Sequence, residues 1–101
     1  MLHTSSRYTE SENQVIRMVN NTRYRHAAPV HEDQLRTLMD AAGLTECERT
    51  VIEKRSFGRL DVQQCADEMY YTVSAIGRLQ RSAIVKMGVA LERMCGERGT
   101  T

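Results

Sequence analysis

"DVQQCADEMYYTVSAIGRLQRSAIVKM", residues 61–87, carries two helix-start signals in close succession, one at Asp61 and one at Thr72. Asp61 with Gln64 reads as a capping box, in which each residue accepts a hydrogen bond from the other's backbone amide. Val62, Cys65, Ala66 and Met69 follow at helical spacing and predict the inward side of a short helix. Tyr70-Tyr71-Thr72 interrupts that pattern, and the Thr72 hydroxyl is suited to accept from the amides of a new first turn. With Ile76 as the centre of the next buried face, Leu79, Ala83 and Met87 lie close to it at about 100° per residue. Ser74, Arg78 and Arg81 then gather on the opposite side. Two helices joined by a short turn, with the second presenting arginines outward, have the spacing of a helix-turn-helix over residues 61–86.

Upstream, Thr45 with Glu48 makes another capping box, and Val51, Ile52 and Arg55 follow on a helix predicted to stop around Ser56-Phe57-Gly58. Leu35, Leu38, Met39 and Ala42 define an amphipathic helix that begins after the boundary at Pro29 and that Gly43 can end. A first helix is expected from a Ser11–Gln14 capping box, with Val15, Ile16, Met18 and Val19 on its apolar side, ending near Arg25. The organisation predicted is a mobile tail over 1–10, a helical pair over 11–43, the helix-turn-helix domain over 44–95 and a tail over 96–101. The fold class is all-α: a small bundle of four to five helices with a long C-terminal recognition helix.

Composition supports that class and narrows the function. In 101 residues there are one Pro, six Gly, and 41% hydrophobic against 27% charged residues, ordinary for a globular chain and unlike a strand-rich sandwich. No run of about 18 apolar residues suits a membrane span, and Met1 to Ser6 lack a signal core, so a bacterial cytoplasmic location is expected. Net charge is only +1, but its distribution is directional: residues 1–26 sum to +2, 27–71 to −4 and 72–101 to +3. Basic ends around an acidic middle suit contact with a polyanion. Guanidiniums on an outward face can contact phosphate or fork onto guanine O6 and N7, and short hydroxyls such as Thr72 and Ser74 at a helix start approach phosphates or base edges. Gly77 lets that face come close to its target at the cost of some helix stability.

Other chemistry is thinly represented. Three cysteines match no metal framework. Cys65 falls on the inward side as a structural thiol, Cys47 reads as an inert surface thiol, and Cys95 lies near the end of the chain. His26 and His31 supply at best two metal ligands and read as loop or cap residues. No nucleophile–base–orienter set and no phosphate-binding loop is recognisable, so no enzyme, cofactor or metal is expected. Tyr70 and Tyr71 can stack on a base or sugar, or fill the turn against the core; the second role is the expectation. Towards the end of the last helix, Val85 and Val89 continue the outward stripe while Ile84, Met87, Ala90, Leu91 and Met94 continue the inward one. A helix apolar on most sides needs partners, which predicts a homodimer through residues 84–95, with Val85, Val89, Leu91 and Met94 in the contact. The alternatives are that the first helix folds back over this stretch, or that Gly88 breaks the helix.

Residues 44–87 as a whole resemble region four of the housekeeping-class bacterial sigma factors, and phage regulators built on that module. The resemblance is carried by Leu44, Thr45, Glu48 and Arg49, by Arg55, Phe57 and Gly58, by Ala66, and by the run from Val73 to Ala83. It implies that Thr72, Ser74, Ala75, Arg78 and Arg81 face promoter-like DNA in the major groove, with Arg49, Lys54 and Arg55 nearer the backbone. Tyr70 departs from the pattern, standing where these proteins usually have glycine in the turn. Residues 1–43 leave too little chain for the other domains of a complete sigma factor. The expected function is therefore sequence-specific binding of double-stranded DNA by a small transcriptional regulator, from a phage or mobile element. The alternative is a sigma-like interaction module that contacts RNA polymerase or another regulator, with little DNA affinity of its own.

Overall fold

The computed structural model describes residues 7–23 and 29–99, with five helices: α1 (Glu10–Arg23), α2 (Pro29–Ala42), α3 (Glu46–Ser56), α4 (Val62–Met69) and α5 (Val73–Gly99). All regular structure among the described residues is α-helical, and no helix there is long and apolar enough to cross a membrane. Residues 24–28, which include Arg25 and His26, lie outside the described residues, as do the side chains of His31 and Cys95.

Local chemistry sets most of the boundaries. α3 starts at a complete capping box: the Glu48 amide donates to Thr45 Oγ1 at 3.2 Å and the Thr45 amide donates to Glu48 Oε1 at 2.8 Å. α4 repeats the device with Asp61 and Gln64. The Ala75 amide donates to Thr72 Oγ1 at 3.1 Å, which caps α5. Gly43, at φ +66°, ends α2 in the left-handed conformation that glycine adopts without steric cost. The start of α1 differs from the sequence expectation. Its capping pair is Thr9 and Glu12, not Ser11 and Gln14, with the Glu12 amide donating to Thr9 Oγ1 at 3.1 Å.

α5 is the spine of the molecule. At 27 residues it is about 40 Å long and accounts for most of the 46 Å longest dimension. Its first half packs Ile76 and Leu79 against Val51 of α3 and Cys65 and Ala66 of α4, with Leu60, Val62 and Met69 at the edges. Its second half packs Ala83, Ile84, Met87 and Ala90 against Val15, Ile16 and Val19 of α1, Leu35, Leu38 and Met39 of α2, and Ile52 of α3. Burial of an Ile, Leu or Met side chain contributes about 1.5–3 kcal/mol, so the α1–α2 pair anchors the distal half of α5 while α3 and α4 anchor its start.

The residues expected in a dimer contact divide between two sides of α5. Leu91 and Met94 pack on the core of their own chain, where with Met18 and Leu38 they line an open groove. α5 does not break at Gly88. An ideal β-carbon there would stand 2.9 Å from Glu12 Cγ and 3.3 Å from its amide nitrogen, because α1 crosses α5 at that point. The first helix therefore supplies the cover, and Val85 and Val89 remain exposed.

Candidate nucleic-acid interface

The turn between α4 and α5 places the candidate face. Tyr70 caps α4 at φ 58°, ψ 38°, and its amide donates to the Ala66 carbonyl. The Tyr71 amide donates to the same carbonyl at 3.0 Å. A residue with a β-carbon in this left-handed region costs about 1–2 kcal/mol relative to glycine. The three-residue turn then delivers Thr72 to its capping position. On α5, Ile76, Ala83 and Met87 have no exposed surface, which fixes the rotation of the helix. Thr72, Ser74, Arg78 and Arg81 are exposed on the outer side, and Ala75 is half-buried beside them.

The cations predicted around this face fall into different situations. Arg78 makes no ion pair or hydrogen bond among the described residues. Arg81 holds its guanidinium over the Tyr8 ring at 5.6 Å, so the segment before α1 braces it from one side. That contact leaves the edge of the guanidinium available to an acceptor. Arg49 is already paired, with Asp40 at 2.8 Å and Glu53 at 3.0 Å, and the Asp40 hydrogen bond raises its pKa further. Lys54 is paired with Glu68 at 2.7 Å, which likewise raises its pKa. A phosphate would have to compete with those carboxylates.

Arg55 corrects the sequence reading outright. It is 2% exposed, donates from Nε to Gln80 Oε1 at 2.8 Å and from Nη1 to the Leu60 carbonyl at 3.0 Å. Its guanidinium is a bolt between α3, the loop before α4, and α5, and does not reach the surface. α4 itself exposes Gln63, Gln64, Asp67 and Glu68, an acidic outer side. The electrostatics therefore favour approach of a polyanion over the start of α5 and disfavour approach over α4.

Three features were not visible in the sequence reading. Glu48 is a buried node as well as a cap: Lys86 Nζ donates to its Oε1 at 2.7 Å and Ser82 Oγ donates to its Oε2. Burial by itself would raise the Glu48 pKa, but the bonds from Lys86, Ser82 and Thr45 together lower it from 4.5 to about 2. Tyr70, expected to fill the turn, is 94% exposed, and Tyr71 is 42% exposed with its hydroxyl 3.4 Å from Cys47 Sγ. Arg59, in the loop before α4, is exposed with φ 57°. Only the Tyr70 geometry had a sequence signal, namely a non-glycine residue at the turn. Cys65 is buried as expected, and burial pushes its thiol pKa up. Comparison with protein-family models, curated proteins and solved structures finds no match for this chain.

Proposed function

We propose that this chain is a sequence-specific double-stranded DNA-binding transcriptional regulator that reads the major groove with the start of α5. One observation carries the reading. The helix that follows a three-residue turn is locked in rotation by Ile76, Ala83 and Met87, and its opposite side exposes Thr72, Ser74, Arg78 and Arg81 together. An α-helix fits the major groove, where hydroxyls and guanidiniums at its leading end reach base edges and phosphates. The resemblance of residues 44–87 to sigma region four supports the same assignment of that face. Affinity then depends on few phosphate contacts, because Arg55 is internal and Arg49 and Lys54 are paired. Binding is accordingly modest in its salt dependence for a DNA reader.

A second reading draws on those same paired cations and on the exposed tyrosines of the turn. In it, the sigma-like surface contacts RNA polymerase or another regulator and has little DNA affinity. Selection of bound sequences from a random duplex pool separates the two. DNA reading predicts an enriched motif, and two-fold symmetry in that motif would report pairing of two copies. No enrichment, together with retention of polymerase in a pull-down, would favour the interaction module.

A further inference from the structure

Two unfavourable features coincide at Tyr70. Its backbone is held at φ 58°, where its β-carbon crowds the adjacent carbonyl and glycine would not. Its side chain is 94% exposed, so no packing within the fold offsets the strain. It also has company. Tyr71 and Val73 are 42% and 46% exposed, so three of the five exposed large hydrophobic side chains among the described residues lie within four consecutive positions. They surround the start of α5, where Thr72 and Ser74 are exposed and from which Arg78 projects one turn further on. Strain and unburied aromatic surface at the edge of a binding face point to a contact made in the complex.

We infer that Tyr70 is a contact to the DNA backbone, its ring lying against a deoxyribose at the edge of the groove and its hydroxyl donating to the neighbouring phosphate. The inference rests on the reading of α5 as the groove-entering helix. Tyr70 precedes the helix, so it stands outside the cylinder that fills the groove. The duplex groups nearest such a position are sugars and phosphates, not base edges. A phenol matches both, with an apolar face and a hydroxyl donor. Tyr71, Thr72 and Val73 carry no charge to repel a phosphate; of the acids on the preceding turn, Glu68 is paired with Lys54, while Asp67 accepts from the uncharged Gln63 amide and keeps its charge.

The test uses the full chain, with fluorescence anisotropy on the duplex selected by the wild type and on a random-sequence duplex, alongside thermal unfolding. Tyr70→Gly should unfold at a higher temperature than the wild type and bind both duplexes about tenfold more weakly, since a backbone contact does not discriminate sequence. Tyr70→Phe should unfold as the wild type does and bind about threefold more weakly through loss of the hydroxyl. If Tyr70→Gly and Tyr70→Phe bind as the wild type does while Arg78→Ala weakens the selected duplex, the Tyr70 contact is overturned and the α5 reading stands. If Arg78→Ala and Arg81→Ala also bind unchanged, or the wild type binds no duplex, the reading and the Tyr70 contact fail together.

Discussion

Glu48→Gln should lower the unfolding free energy by about 3 kcal/mol near neutrality, and by progressively less as the pH falls from 4.5 towards 2. Glutamine stands in for the protonated acid, so the substitution imposes at every pH the loss that acid imposes on the wild type. Glu48 is 3% exposed, and the bonds of its carboxylate to Thr45, Ser82 and Lys86 tie the first turn of α3 to the middle of α5. Because those bonds depress the folded-state pKa, their stabilisation is fully present above the unfolded value of 4.5 and is lost as the pH drops through about 2. Urea unfolding of both proteins near neutrality and at about pH 3 measures the difference, in which the other carboxylates cancel. A gap that stays constant between the two pH values would show that the charge on Glu48 does not stabilise the fold.

Arg55→Ala should cost about 2–4 kcal/mol, as expected for removing a buried, charged donor from two neutral acceptors and leaving them unsatisfied. The change strips donors from Gln80 Oε1 and the Leu60 carbonyl and leaves a cavity between α3 and α5. Arg55→Lys should recover only part of the loss, because an ammonium cannot reproduce the planar fork that reaches both acceptors. Chemical denaturation reads both values. A loss below about 1 kcal/mol for Arg55→Ala, the level of a surface change, would mean that the guanidinium does not hold α3, the loop before α4 and α5 together. Glu48 and Arg55 both anchor α5, the helix that carries Arg78.

What was legible in the sequence was local. The capping boxes at Thr45 and Asp61, the Thr72 cap and the Gly43 stop each involve partners within three residues, or one residue's own backbone freedom. The apolar stripes through Leu35, Val51 and Ile76 placed the core for the same reason. At the first helix, two capping pairs overlap in register, Thr9–Glu12 and Ser11–Gln14. The burial of Val15, Ile16 and Val19 against α5, with Glu12 over Gly88, accompanies the first of them. The roles of Arg49, Lys54 and Arg55 were out of reach because Asp40, Glu68 and Gln80 lie between nine and 25 residues away along the chain. An arginine read as reaching out can equally reach in, and only the tertiary fold decides which. Tyr70 shows the converse: an aromatic assigned to the core stands in solvent because its left-handed backbone turns it outward.

The most direct test of the α5 face is an equilibrium titration of the wild type, Arg78→Ala and Arg81→Ala on specific and random duplexes over a series of salt concentrations. Arg78 lies nearer the helix start and is assigned to a base edge, so its loss should cost about 1–3 kcal/mol on the specific duplex and relax preference at one base pair. Arg81, a turn further on and braced by Tyr8, is assigned to phosphate. Its loss should weaken all sequences alike and reduce the slope of log affinity against log salt by about 0.9. Binding by both variants that matches the wild type on both duplexes would contradict the assignment of α5 to DNA.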